Sequence, residues 1–285
     1  MITMNSKRLL SCLAAMVLAS SFALADTIAK WNFETNPPAG APGAGVWITN
    51  LPADIGVGTA AGWHAGSATY NSRPGNGSSN SLSSAAWATG DAYQFAVSTI
   101  GFQNVTVSYD QAGSPTGPRD FTFSYGTDGI HFTTSGPSYV VLTNNTSVNN
   151  EGSGKSTSAW SSSGSQQPAY ALVFDLGSIT SLDNQPVVYF RLTVADGTAE
   201  NGASIGSTGT DRVDNFLVSG APLALSPSLT IQRDGNNDVK LTWSDSGFTL
   251  QSAPNVTGTY TNIPGAASPY TESMGNQQKF YRLAQ

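Results

Sequence analysis

Four tryptophans, Trp47, Trp63, Trp87 and Trp160, lie in stretches rich in Gly, Ser and Ala, and His64 directly follows Trp63. Sugar rings offer C–H groups that pack on indole faces, and their hydroxyls take hydrogen bonds from amides, carboxylates and guanidinium groups. Aromatics among small polar residues therefore point to glycan recognition, with burial over a sandwich edge as the alternative for each one. Other chemistries are short of residues. The chain holds two histidines, His64 and His131, and one cysteine, Cys12, too few for a sequence-evident transition-metal set. Its four glutamates, Glu34, Glu151, Glu200 and Glu272, are widely separated, whereas glycoside hydrolysis needs two facing carboxyl groups. A polysaccharide-acting enzyme would have to assemble its site from distant residues.

The N-terminus sets the compartment in which such residues work. Lys7 and Arg8 precede an uncharged run over residues 9–24 that ends in Ala23-Leu24-Ala25. A basic start, a short apolar run and a small-x-small end predict a secretory signal peptide, residues 1–25, cleaved before Asp26. The run is shorter than the roughly 20 apolar residues of a membrane span, so no membrane insertion is expected. Leu9-Leu10-Ser11-Cys12 is close to a lipobox, but the apolar run continues past Cys12. Cleavage removes the only cysteine, and with it disulfides and thiolate chemistry. It also removes two of the twelve basic residues and no acidic one, leaving ten against eighteen, net −8. That balance excludes nucleic acid, whose phosphates call for clustered Lys and Arg.

The elements that must position these residues are strands. Apolar residues alternate in short runs between Gly, Pro, Asn and Ser clusters, and helical periodicity is nearly absent. Ala29-Lys30-Trp31-Asn32-Phe33 is a first strand. Residues 104–109 place Val105, Val107 and Tyr109 on one face, and residues 120–125 do the same with Phe121, Phe123 and Tyr125. Residues 187–194 and 213–218 read similarly. Thr127-Asp128-Gly129 predicts a hairpin turn into a strand Ile130-His131-Phe132. Residues 36–86 and 144–168 read as long loops. A Pro/Ala/Leu/Ser connector at 221–227 separates residues 26–220 from a second β unit, 228–285, with Trp243, Phe248, Tyr260, Phe280 and Tyr281 as its core. Within that unit, Asp234-Gly235-Asn236-Asn237-Asp238 predicts a hairpin turn rather than a calcium loop.

Three strings carry a resemblance: Trp31-Asn32-Phe33-Glu34, residues 125–133, and Arg212-Val213-Asp214-Asn215-Phe216-Leu217-Val218. Through them, residues 26–220 resemble the jelly-roll sandwiches of secreted bacterial proteins, related to carbohydrate-binding modules and laminin-G-like domains. Val239-Lys240-Leu241-Thr242-Trp243, residues 248–255 and Lys279-Phe280-Tyr281-Arg282-Leu283 look like a small C-terminal module of secreted proteins from Verrucomicrobia-like and Planctomycete-like bacteria. The first resemblance implies a structural calcium held by Glu34, after the first strand, and Asp214, in the last. Calcium gathers carboxylates and carbonyls from segments distant in sequence, which suits that pair.

The expectation is an all-β chain, a jelly-roll β-sandwich followed by a small antiparallel β domain. It is exported, non-catalytic, and binds a glycan or extracellular matrix polymer through Trp47, Trp63, His64, Trp87 and Trp160. The alternatives are a surface-display protein whose C-terminal domain serves attachment or sorting, and a polysaccharide-acting enzyme with a dispersed site.

Overall fold

The computed structural model describes residues 25–144, 160–223, 227–235, 237–244, 247–274 and 278–284, without the side chain of Asn50. Residues 1–24 of the expected signal peptide, Cys12 and Glu151 lie outside the described residues. The chain divides between Leu223 and Ala224 into two compact units. Among the described residues no helix is long and apolar enough to cross a membrane.

In chain order the first unit carries β1 (Asp26–Trp31), β2 (Ala39–Gly40), β3 (Ile48–Pro52), β4 (Ile55–Gly56), β5 (Gly58–Trp63), β6 (Tyr70–Ser72), β7 (Leu82–Ala85), β8 (Ala92–Val97), β9 (Phe102–Gly113), β10 (Asp120–Gly126), β11 (Thr133–Thr134), β12 (Tyr139–Val140), β13 (Leu142–Thr143), β14 (Ala171–Asp175), β15 (Val188–Val194) and β16 (Thr210–Pro222). One sheet runs β13-β9-β16-β7-β6-β2, with β1 joined to β16 and to β4, and β14 to β9. The other runs β11-β10-β15-β8-β5-β3, with β12 joined to β10. The fold is the all-β sandwich the alternation implies.

Alternation explains the packing. Tyr93, Phe95 and Val97 of β8 point inward with Val188, Phe190, Leu192 and Val194 of β15, and all are buried. They meet Val107, Tyr109, Val213, Phe216 and Val218 from the opposite sheet in one core cluster. Phe95 stacks on Phe216 with centroids 3.5 Å apart, and Trp31 closes edge-on against both. A bulge in β16 makes this possible. Asp214 pairs with Asp110 and Leu217 with Ser108, so two residues of β16, Asn215 and Phe216, oppose Tyr109 alone. Asn215 takes φ 50° there. The extra residue reverses the phase, so that Val213 and Phe216 both face the core.

Two differences from the sequence expectation concern loops. The stretch over residues 36–86 contains six strands, β2 to β7, which the sequence did not announce because strands of two to six residues, broken by Gly and Ser, carry too few alternations to be read as periodic. Ile130-His131-Phe132 is not a strand: the Asp128 carboxylate accepts the N–H groups of Ile130 and His131, prolonging the turn until β11 begins at Thr133. In addition, β16 continues through Pro222, with Ala221 and Pro222 opposite Gln103 and Phe102, two residues into the stretch read as connector.

The second unit holds β17 (Thr230–Asp234), β18 (Asp238–Thr242), β19 (Thr249–Ala253), β20 (Thr261–Asn262), β21 (Tyr270–Ser273) and β22 (Phe280–Ala284) in two three-stranded sheets. Asp234 pairs with Asp238, as the hairpin reading requires. Of the five aromatics expected to form its core, Trp243 is buried. Leu241 and Leu250 complete the buried cluster, while Phe248, Tyr260, Phe280 and Tyr281 stay partly exposed. A unit this small has too little interior to enclose large rings.

Candidate functional site

The outer face of the β11-β10-β15-β8-β5-β3 sheet collects the exposed members of the predicted aromatic set. Ile48 pairs with Gly62, which places Trp47 opposite Trp63 across the β3–β5 ladder. Their ring centroids are 6.3 Å apart at an interplanar angle of 39°, and both side chains are half-buried. Beside them β15 turns Tyr189, Arg191 and Thr193 outward, and β8 turns out Gln94, opposite Arg191. The Arg191 guanidinium lies 5.5 Å from the Trp47 ring centre and 3.8 Å from that of Phe132. Gln94 Oε1 accepts from both Arg191 Nε (3.1 Å) and Nη2 (2.6 Å). A depression of about 460 Å³ continues the face past Gln94 and Tyr189 toward Val57.

Local chemistry fixes this arrangement. Besides the two backbone donors, Asp128 Oδ2 pairs with His131 Nδ1 at 2.7 Å, and together these hold its carboxyl well below the usual range. The tightened turn brings Phe132 beside Arg191. Gly129 has φ 73°, and a Cβ there would sit 3.2 Å from the Tyr189 ring, so glycine lets the turn close over that tyrosine.

Three of the five predicted ligand-facing residues belong elsewhere, and this corrects the sequence reading. Trp87 is buried against His64, Tyr93 and Phe121, donating its indole N–H to Ser84 O at 3.1 Å. Trp160 is buried edge-on to Tyr170 on the outer side of the other sheet, and donates to Pro74 O at 2.6 Å. His64 is 1% exposed, with Nδ1 3.1 Å from Asp91 Oδ2. A His–Asp pair is general-base equipment, but here both members are sealed from any substrate. The partners that bury these rings lie up to 86 residues away in sequence, which is why loop composition misplaced them.

The carboxylates form a second cluster. Asp214 is buried, and its Oδ2 accepts from Asn76 N–H (2.8 Å), Ser78 Oγ (2.6 Å) and Asn215 Nδ2 (3.2 Å), while Oδ1 accepts from Asn215 N–H (2.7 Å). Asn215 Nδ2 also donates to Asp110 Oδ2 at 2.9 Å, which receives Gln166 Nε2 at 2.7 Å as well. Burial pushes Asp214 up to about 7, against the lowering effect of its hydrogen bonds, and raises Asp110 too. Glu34 Oε1 accepts the Asn80 N–H at 2.7 Å. Glu34 and Asp214 thus fasten the same 76–80 loop. The calcium that the resemblance implies does not fit this arrangement. A cation needs oxygen acceptors turned toward it, whereas N–H and O–H donors occupy both Asp214 oxygens. Among the described residues no three His, Cys, Asp or Glu side chains are grouped to hold a metal.

Gly202-Ala203-Ser204-Ile205-Gly206 has the spacing of a nucleophile elbow, which the sequence reading passed over. Ser204 is exposed in an isolated bridge to Thr198 and no helix follows it, so the strand–turn–helix setting that such a nucleophile requires is missing. The residues that sequence reasoning missed on the open face are Gln94, Arg191, Tyr189 and Phe132. The available signal was Arg191 itself, an outward residue within Phe190-Arg191-Leu192 in a chain with only twelve basic residues.

No protein-family model matches the chain, and no curated protein matches it. Solved structures similar to it include a β-1,2-glucanase from Parabacteroides distasonis, with 10% identity, TM-score 0.28, and coverage of 90% of this chain and 35% of the glucanase. The N-terminal CBM22-1-CBM22-2 tandem domain of Paenibacillus barcinonensis Xyn10C aligns at 10% identity and TM-score 0.34, covering 93% and 86%. A Paenibacillus xanthan lyase aligns at 13% identity and TM-score 0.32, covering 90% and 26%. The chain therefore spans about a third of the glucanase and a quarter of the lyase. Likeness at this level carries no ligand and no activity over to this chain.

Proposed function

We propose that this is an exported, non-catalytic glycan-binding protein whose first unit holds an extracellular polysaccharide or matrix polymer across the outer face of the β3-to-β11 sheet. The observation that carries the reading is the Trp47–Trp63 pair. Two large rings stand side by side, half in solvent, next to an amide and a guanidinium on an open surface. Stacking on C–H-rich sugar faces plus planar hydrogen-bonding groups is the chemistry of glycan recognition. Export rests on Lys7, Arg8 and the uncharged run that follows them. A hydrolytic reading gains nothing from Asp110 and Asp214, both of which are buried away from any substrate.

The test is retention of the protein by a panel of immobilised polysaccharides, repeated with Trp47→Ala and Trp63→Ala. Binding of at least one polysaccharide, weakened tenfold or more in either variant with little change in melting temperature, is the expected result. Silence across the panel overturns glycan recognition and favours display. Release of reducing sugar overturns the non-catalytic assignment.

A further inference from the structure

We infer that the glycan taken by this face carries a carboxylate, a uronate residue seated on Arg191; the inference rests on the glycan-binding reading above. Arg191 projects from β15, between β10 and β8, at the middle of the sheet. Its guanidinium lies 3.8 Å from the Phe132 ring centre and 5.5 Å from that of Trp47, and among the described residues its one hydrogen-bond partner is the neutral Oε1 of Gln94. That contact uses two of the five guanidinium N–H groups. Among the described residues the other three meet no acceptor, and Arg191 has no ion pair.

A guanidinium partly withdrawn from water calls for an opposite charge. Withdrawal already draws the Arg191 pKa below the usual arginine value. The sheet cannot supply that charge. Its seven strands contain one other charged residue, Asp120, and Asp120 Oδ2 is already held by Arg119 at 2.7 Å. The turn leading to Phe132 adds Asp128, whose oxygens are taken by two backbone N–H groups and His131. A ligand carboxylate matches the planar fork with two parallel N–H···O bonds, while Trp47 and Trp63 stack the adjoining sugar rings. A neutral sugar would leave the cation uncompensated. The net charge, −6 for the whole chain and −8 without residues 1–25, repels a polyanion at long range, but at physiological ionic strength that field decays over about 8 Å, and the local contact governs.

The test measures calorimetric binding of polygalacturonate and of alginate to the full chain, each compared with the same polymer after esterification of its carboxylates. The acid form of at least one is expected to bind tenfold or more tightly than its ester. Arg191→Gln should erase that preference, and Arg191→Lys, which keeps the charge and loses the fork, should retain part of it. The ester comparison uses unaltered protein and stands even where a variant folds poorly. Equal affinity for acid and ester, acid preference surviving in a folded Arg191→Gln, or binding confined to neutral xylan or glucan overturns the uronate assignment and leaves glycan binding standing. Absence of binding to every polysaccharide overturns both.

Discussion

Trp47 and Trp63 face one another across the β3–β5 ladder at 6.3 Å between ring centres, as an outward cross-strand pair. Such pairs contribute modestly to stability, because each ring keeps a solvated side. Aromatic pairs couple by about 0.5–1.5 kcal/mol beyond area burial. A double-mutant cycle on Trp47→Ala and Trp63→Ala, read by urea denaturation, should return a coupling energy in that range. A coupling of zero would mean that the rings do not pack on each other and that the platform is not preformed.

Core aromatics should behave differently. Phe216 is fully buried, stacked on Phe95 and edged by Trp31. Phe216→Ala should cost about 3–5 kcal/mol, the range for truncating a large buried aromatic. A loss below about 1 kcal/mol in the same denaturation experiment would contradict the inward phase set by the β16 bulge.

The pH dependence follows from Asp214. Its carboxyl is raised to about 7 in the folded state, against about 3.9 in an unfolded chain. Between these values the folded protein binds more protons than the unfolded one, so stability falls as pH rises. The contribution is fully present below about pH 4 and is lost by about pH 7, some 4 kcal/mol at about 1.4 kcal/mol per unit. Asp110 and the fully buried Asp211 shift in the same direction, by desolvation, and add to the slope. Asp128, held low and exposed, works in the opposite sense, but only below about pH 4. Denaturation midpoints should decline from pH 4.5 to 7.5, and Asp214→Asn should flatten that decline. An unchanged slope in the variant would remove Asp214 as its source.

What the sequence made legible was periodic. Phe121 and Phe123, or Val188, Phe190, Leu192 and Val194, announce their strands because alternation is a local property. Trp47 and Trp87 have similar neighbours in sequence, yet one is half-exposed and the other packs on His64 and Tyr93. That choice is made by contacts between distant segments, which no short window contains. The buried Asp110 was unreadable for a related reason. The bulge at Asn215 and Phe216, just past Asp214, and the amide of Gln166 create its setting only after β9, β16 and the covering loop meet. Arg191 looked like an ordinary outward strand residue, since the rings around it come from the stretch before β3 and the turn before β11.

Calcium should leave the fold unchanged. Donors reach both oxygens of Asp214, and Glu34 Oε1 accepts the Asn80 N–H, so neither carboxylate is turned toward an open cation position. Melting temperatures in millimolar calcium and in chelator are expected to coincide. A rise on adding calcium that disappears in Glu34→Ala would show that the 76–80 loop rearranges to present carbonyls, and would replace the hydrogen-bonded assignment with a metal clamp.

His64 and Asp91 distinguish a structural pair from a catalytic one. Asp91 is wholly buried and accepts the N–H of Ala65 at 2.8 Å and of Ala88 at 2.7 Å as well as facing His64 Nδ1 at 3.1 Å. Its carboxylate thus ties the end of β5 to the turn before β8, the same two strands that carry Trp63 and Gln94. Asp91→Ala leaves the Ala65 and Ala88 N–H groups without their acceptor and His64 Nδ1 with only the Ala86 carbonyl at 3.3 Å, and should cost about 3–5 kcal/mol, the range for breaking a buried pair from one side. Because the pair has no path to solvent, glycan affinity per folded molecule should stay within about twofold in Asp91→Asn, measured at a temperature where that variant is folded. A large affinity loss with unchanged stability would instead place the pair in contact with ligand, which its burial forbids.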